Sequence, residues 1–272
     1  MNKKVLALWV LIFLAAGNVY AAGSAQDALD QGIAYGKNDM TDEAIAAFTK
    51  AITLDPNLAV AYRNRSLAYR NKGDLDKALA DCGKAIALEP KYVEAYYNRG
   101  SINLLKGDFN QALADYNKAI ELNPKDPVSY SHRGAVYLYK GEFDKTIVDC
   151  SQAITLDPNC LEAYINRGNA YQSKGDFDRA IADCSKALAL NSRSASVYFN
   201  RGLVYYAKKD YKNAVADYSR ALELDPKHLK SYYYRAIAYF QLKDYNKSRL
   251  DVNKLKELGV QPPPELVSEL NK

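Results

Sequence analysis

The chain predicts an all-α fold built as a stack of helical hairpins, and two observations carry that prediction. A proline returns every 34 residues, at Pro56, Pro90, Pro124 and Pro158 and, after a missed beat at Ser192, at Pro226. Rows of small and aromatic residues keep the same period, so whole segments repeat rather than one residue type. A fixed period of this length marks a solenoid, in which each segment buries its apolar face only by stacking on its neighbours.

The first helix of each segment carries a small residue, in the row Gly32, Ser66, Gly100, Gly134, Gly168, Gly202 and Ala236. Three places on, along the same helical face, lie Tyr35, Tyr69, Tyr137, Tyr171, Tyr205 and Tyr239, a row that Asn103 interrupts. The second helix carries Ala44, Ala78, Ala112, Ala180 and Ala214, with Thr146 in the gap. It also carries Ala51, Ala85, Ala119, Ala153, Ala187 and Ala221. Small residues in register let two helix axes approach closely, which a larger side chain prevents.

The turns fit the same reading. Lys72-Gly73-Asp74, Lys106-Gly107-Asp108, Lys140-Gly141-Glu142 and Lys174-Gly175-Asp176 place lysine in a last helical turn, glycine at a left-handed stop and an acid at the next start. Leu54-Asp55-Pro56, Leu156-Asp157-Pro158 and Leu224-Asp225-Pro226 close the second helix, because proline cannot continue it.

These rows resemble the tetratricopeptide repeat. The resemblance covers residues 25–262 in about seven repeats, near 25–58, 59–92, 93–126, 127–160, 161–194, 195–228 and 229–262. It implies a right-handed superhelical solenoid. The last repeat degenerates at Ser248 and Leu255, and Gly259 with Pro262-Pro263-Pro264 stops it. Residues 263–272 then read as a capping segment, with a short polar helix from Glu265 to Asn271 over the end of the stack.

Ahead of the repeats, Lys3 and Lys4 precede an apolar run from Val5 to Ala16, followed by Val19-Tyr20-Ala21. A basic start, a short apolar run and a small-x-small site are the parts of a cleaved export signal over residues 1–21. About a dozen apolar residues fall short of the roughly 20 that span a membrane. The expected location is therefore periplasmic or secreted, with an N-terminal membrane anchor as the alternative if the segment stays uncleaved. No cysteine follows the apolar run, which argues against a lipid anchor.

The formal charge of +5 falls to +3 without Lys3 and Lys4, and basic residues alternate with acids rather than clustering. That pattern describes solvated helix faces and offers nucleic acid no footprint. Four cysteines in an exported chain invite a disulfide reading, but their spacing opposes it. Cys82, Cys150 and Cys184 share a row with Phe48, Tyr116 and Tyr218, as small core residues do. Equivalent helices of neighbouring repeats should lie about 8–10 Å apart or more, beyond the roughly 7 Å reach of a bridge. Cys160 lies in a connection without an evident mate, so all four are expected as free thiols.

One pair of rows exceeds the repeat grammar. Arg65, Arg99, Arg133, Arg167, Arg201 and Arg235 directly precede the small residue, and Asp81, Asp115, Asp149, Asp183, Asp217 and Asp251 follow 16 residues later. The first repeat has neither, with Gln31 and Ala47 in their places. Joint presence and joint absence predict that each arginine pairs with the aspartate of its own repeat as a structural ladder. Identical rows define no unique catalytic site, and arginine suits bidentate carboxylate geometry.

In the family, the opposite face of each first helix lines a concave groove that binds extended peptides. Asn64, Asn98, Asn166 and Asn200, with His132 in one place and Tyr234 in another, stand just before the arginines. Asparagine offers donor and acceptor to a peptide backbone, and similar ladders occur in some peptide-binding members. The alternative is that these amides hydrate the groove or bond within the helix. Helical spacing adds Tyr97, Leu104, Leu138, Tyr139, Ile165, Phe199, Tyr206, Tyr233 and Phe240 as the varying, largely aromatic lining.

Catalysis finds little support. His132 and His228 lie in different repeats without ligand spacing, and no phosphate loop or nucleophile elbow occurs. The expected protein needs no cofactor, metal or small-molecule substrate. It binds a segment of a partner protein, in the assembly or regulation of an envelope or secretion complex. A self-associating structural solenoid is the alternative.

Overall fold

A computed structural model describes residues 23–262 and 264–270. The export signal expected over residues 1–21, together with Pro263, Asn271 and Lys272, lies outside the described residues. Among the described residues the chain forms helices and no strand.

Two compact units divide the chain. The first, Met1–Pro124, holds three hairpins: α1 (Ala25–Lys37) with α2 (Thr41–Leu54), α3 (Ala59–Lys72) with α4 (Leu75–Leu88), and α5 (Val93–Lys106) with α6 (Phe109–Leu122). The second, Lys125–Lys272, holds four: α7 (Pro127–Tyr139) with α8 (Phe143–Leu156), α9 (Leu161–Ser173) with α10 (Phe177–Leu190), α11 (Ala195–Ala207) with α12 (Tyr211–Leu224), and α13 (Leu229–Gln241) with α14 (Tyr245–Glu257). A short helix, α15 (Pro264–Leu270), follows.

Local chemistry sets these bounds. Asp74, Asp108, Asp176, Asp210 and Asp244 each accept a backbone N–H three residues on, which caps the second helix of their hairpins. Gly73, Gly107, Gly141 and Gly175 take positive φ at the turn, as their position predicts. In the remaining three hairpins Asp39, Lys209 and Lys243 adopt φ of 57°, 65° and 61°, a conformation less favourable without glycine.

At the far ends proline is not indispensable. The Asp55, Asp157 and Asp225 carboxylates accept the N–H two residues on, and Asn191 accepts from Arg193 in the same way where Ser192 replaces proline. An Asx turn thus closes these four second helices, and proline reinforces it in three of them.

Three hairpins seat a ring of the second helix over a glycine of the first, whereas Gly134 and Gly168 face the smaller Cys150 and Cys184. A Cβ on Gly32 would meet the Phe48 ring at 2.5 Å, and one on Gly202 would meet the Tyr218 ring at 2.6 Å. Gly100 faces Tyr116 in the same way. Where the first-helix residue is Ser66, the facing residue shrinks to Cys82, whose Sγ donates to Ser66 Oγ at 3.2 Å. Ala236 and Val252 are buried in one cluster. Thr146 and Ser248 replace alanines in the buried row without orphaned hydroxyls, since Thr146 donates to Glu142 O at 3.3 Å and Ser248 to Ala236 O at 2.8 Å.

α15 is polar on one face only. Leu266 and Leu270 are buried against Ala236 and Val252, and Arg249 Nη2 donates to Leu270 O. The helix therefore covers apolar surface that a further hairpin would otherwise bury.

All four cysteines are free and buried. Burial pushes the Cys82 thiol up to about 11 and the Cys150 and Cys184 thiols up to about 12. The reactive thiolate is correspondingly scarce. At pH 8 these three sites should resist a thiol reagent in the native chain, whereas denaturant should expose all four, as mass spectrometry of the adducts would show. Because the folded values lie above the unfolded one of about 8.5, the stability conferred by neutral thiols is whole below that pH and lost as pH rises through 11–12. Urea midpoints should accordingly fall across that alkaline window.

Close approach makes a second expectation. Gly202→Ala should cost about 1–3 kcal/mol by overpacking, whereas Gly36→Ala, whose Cβ meets nothing within 4 Å, should be neutral or stabilise by up to about 1 kcal/mol. Equal effects in denaturant titrations would contradict the packing.

Candidate functional site

The arginine and aspartate rows meet as expected, each pair within one hairpin. Arg65 donates through Nε and Nη2 to the two Asp81 oxygens at 2.7 and 2.8 Å, and Arg167 to those of Asp183 at 2.9 and 2.8 Å. Arg133–Asp149, Arg201–Asp217 and Arg235–Asp251 share this bidentate form. Arg99 reaches Asp115 at 2.6 Å, and there Asn103, which interrupts the tyrosine row, donates to Asp115 Oδ2 at 3.1 Å. The interruption thus supplies the buried carboxylate with one more donor. Hydrogen bonds donated to the aspartates hold the Arg65, Arg99, Arg133, Arg167 and Arg201 guanidinium groups above their ordinary value.

Three contacts around this ladder escaped the sequence reading. Tyr62, Tyr96, Tyr130, Tyr164, Tyr198 and Tyr232 form a second aromatic row, each ring 5.5 to 5.8 Å from its guanidinium carbon. The spare Nη1 of Arg65, Arg167, Arg201 and Arg235 donates to Thr49, Ser151, Ser185 and Ser219 on the second helix of the preceding hairpin. A hydroxyl 16 residues before the arginine was the available signal. Finally Lys72, Lys106 and Lys208 pair at 2.5 Å with Asp42, Asp76 and Asp178, and Lys174 pairs with Asp144. Those lysine pairs are exposed and contribute little.

With the framework so occupied, the first-helix face holds the residues that vary. In the first compact unit, Asn64 accepts from Arg63 Nη1 at 2.8 Å and borders a cavity of about 250 Å³ whose floor includes Ile33, Phe48 and Leu67. Gly36 opens that cavity, standing where Leu104 stands in the third hairpin. Tyr97 lies 6.0 Å from the Tyr116 ring, and Leu104 is half-buried. Asn98 is only 2% exposed and its Nδ2 has no hydrogen-bond partner, so its amide lies beneath the face rather than on it.

In the second unit, Asn166 Nδ2 donates to Ser131 O of the preceding first helix at 3.5 Å. His132, Asn200, Leu138 and Ile165 are half-buried, and Ile165 packs on the cluster around Tyr164 and Leu188. Tyr139 is 70% exposed. Tyr206 and Phe240 lie 5.3 and 5.4 Å from Tyr211 and Tyr245 across their own hairpin turns. Phe199 is buried in an aromatic cluster with Tyr218, His228 and Tyr234, beside half-buried Tyr233. Phe199 and Tyr233 line a second cavity, of about 400 Å³.

Among the described residues, no group of three or more His, Cys, Asp or Glu side chains is placed to hold a metal ion. No helix among them is long and apolar enough to cross a membrane.

Paired helices repeating every 34 residues, with small residues at the crossing and a varying polar and aromatic face, define an all-α repeat solenoid. Profiles of the tetratricopeptide repeat match residues 93–126, 127–160, 161–194 and 195–228, and related TPR profiles match 29–58, 47–80, 66–107 and 218–249. The chain belongs to the tetratricopeptide repeat family. Comparison with curated proteins gave no match.

Among solved structures it is similar to the Cut9–Hcn1 hetero-tetramer of the APC/C, with a TM-score of 0.73 and 23% identity. That match covers 79% of this chain and 43% of the other, so the chain spans under half of that protein's length. A tetratricopeptide repeat protein from Parabacteroides merdae aligns with a TM-score of 0.67 and 18% identity, over 90% of this chain and 96% of its own. YrrB, described as a TPR protein with an unusual peptide-binding site, aligns with a TM-score of 0.54 and 24% identity, over 68% and 95%. At these identities the likeness establishes the fold. Family membership makes the chain a protein-interaction scaffold in the general sense, on a framework that is typically non-enzymatic.

The ladder yields a direct measurement. Asp183 is 4% exposed, so removing either Arg167 or Asp183 strands a charge and should cost about 3–5 kcal/mol. A double-mutant cycle on the two should show coupling of about 0.5–3 kcal/mol. Strictly additive losses would remove the pair from the account of stability.

Proposed function

We propose that this protein is an exported, non-enzymatic scaffold whose first-helix face holds an extended or helical segment of a partner protein. In this reading it acts in the assembly or regulation of an envelope or secretion complex. One observation carries the proposal: the framework positions are filled by the same residues in hairpin after hairpin, while the first-helix face changes from hairpin to hairpin and is rich in aromatic groups. Residues that vary against a repeating frame are free to encode a partner, and tyrosine gives large contact area with a polar tip.

Electrostatics support the same face. The ladder neutralises its own charges, so the field a partner meets comes from the variable side chains alone. Export rests on the leader residues Lys3 and Lys4, the apolar run and Val19-Tyr20-Ala21.

Site-specific photo-crosslinking tests the face. A benzophenone amino acid at Tyr97, Tyr139 or Tyr233 should yield partner adducts in the native cell, whereas one at Val148 or Leu250, exposed on second helices, should yield none. Adducts formed equally from both sets would place the interaction elsewhere. Fractionation of the same cells reads the location, and a wholly cytosolic, full-length product would remove the exported assignment.

A further inference from the structure

We propose that Cys160 is a peroxide-sensitive thiol: a hydroperoxide oxidises it to a sulfenic acid whose oxygen accepts a hydrogen bond from Ser131 Oγ and which persists without forming a disulfide. The site lies where the fourth and fifth hairpins join, and it does not depend on what the first-helix face binds.

Other hairpins supply the comparison. Cys160 is the N-cap of α9, a position held elsewhere by Ser24, Leu58, Tyr92, Asp126, Ser194 and His228. Ser24, Asp126 and Ser194 accept the N–H three residues on through a side-chain oxygen. Behind Leu58, Tyr92 and His228 the same N–H donates to the cap residue's own carbonyl. At Cys160 the corresponding donor is Ala163 N–H, and it favours the charged form of the sulfur.

A second donor comes from α7, where the Ser131 hydroxyl stands against the same sulfur. Ser131 is 1% exposed, and its Oγ has no hydrogen-bond partner. Sulfur is a weak acceptor, so this buried donor stays idle until an oxygen is attached to the thiol.

The four thiols are not equally open to oxidation. Burial, with Glu162 and Asp157 nearby, pushes the Cys160 thiol up, and the Ala163 N–H and the Ser131 hydroxyl oppose that rise. Cys160 is 8% exposed, whereas Cys82, Cys150 and Cys184 are at most 3% exposed and are pushed up to about 11 or 12. The oxidant needs little room, because hydrogen peroxide is only slightly larger than water.

In the reaction the Cys160 thiolate, its proton lost to solvent, attacks the terminal peroxide oxygen. The S–O bond forms as the O–O bond breaks, and the departing alkoxide or hydroxide takes a proton and leaves as alcohol or water. Sulfur gives up two electrons and the hydroperoxide accepts them. Cys150 shares the buried cluster, but its sulfur is turned to α7, where a Cβ on Gly134 would meet it at 2.7 Å. Pushed up to about 12, it also supplies almost no thiolate to attack the sulfenic acid.

Peroxide treatment of the native full chain tests this. After hydrogen peroxide at pH 8 and removal of the excess with catalase, the chain is unfolded in urea with excess dimedone, and fragmentation of its peptides locates the label. Cys160 should carry at least about tenfold more label than Cys82, Cys150 or Cys184. Cys160→Ser, which leaves a serine cap like Ser194, should abolish that label and still unfold cooperatively in urea. Ser131→Ala should lower the yield about three- to tenfold with an unchanged urea midpoint, since no hydrogen bond is lost, and Ser131→Thr should restore it. Equal labelling of the four cysteines, no label on any, full yield in Ser131→Ala, or a disulfide joining Cys150 to Cys160 would each overturn the site.

Discussion

Close approach of the two helices in each hairpin is the constraint on which the rest depends. A glycine, serine or alanine on the first helix faces a side chain on the second that fills the space left for it. Rings stand opposite glycine at Gly32–Phe48, Gly100–Tyr116 and Gly202–Tyr218, whereas Ser66 faces the smaller Cys82. Each arginine sits one residue before the small position, and each aspartate one before its partner. The helix separation that packs the core therefore also sets the reach of the guanidinium, so packing and ion pair cannot be altered separately.

The arginine then extends that constraint to its neighbours. Nε and Nη2 engage the aspartate of the same hairpin, and in four hairpins Nη1 engages a hydroxyl of the one before. Tyrosines flank the cation, with Tyr62 and Tyr69 within 5.8 Å of Arg65. A buried ion pair is costly to desolvate, and its worth depends on satisfying every remaining donor. Here the aspartate, hydroxyl and ring faces do so together. The first repeat lacks both arginine and aspartate, and it joins the network through Thr49 on its second helix, which receives Arg65.

Such a self-satisfied frame separates structure from recognition. Framework charges are consumed inside the stack, and the first-helix face is left to residues that differ between hairpins. The tyrosines at equivalent positions show how much a single change there does. Leu203 stands beside Tyr218 where Ser101 stands beside Tyr116, and Tyr218 Oη has no hydrogen-bond partner. Function in a repeat protein is thus written in departures from the period more than in the period itself.

Much of the fold was legible before any coordinates. The 34-residue rows predicted the hairpins and the glycine turns, and the shared absence at Gln31 and Ala47 predicted that Arg65 pairs with Asp81. Those features depend on spacing within one repeat, where helix geometry converts sequence distance directly into position. The face was legible only in outline. Asn98 lies buried while Tyr139 stands exposed, Asn166 reaches back to Ser131, and Gly36 opens a cavity beneath Asn64. These outcomes depend on how far apart successive hairpins settle, which is set by the combined volumes of many side chains. Sequence by itself therefore determined the repeat, its helices and its internal ladder, whereas tertiary packing alone decided which face residues are reachable and which lie buried beneath the face.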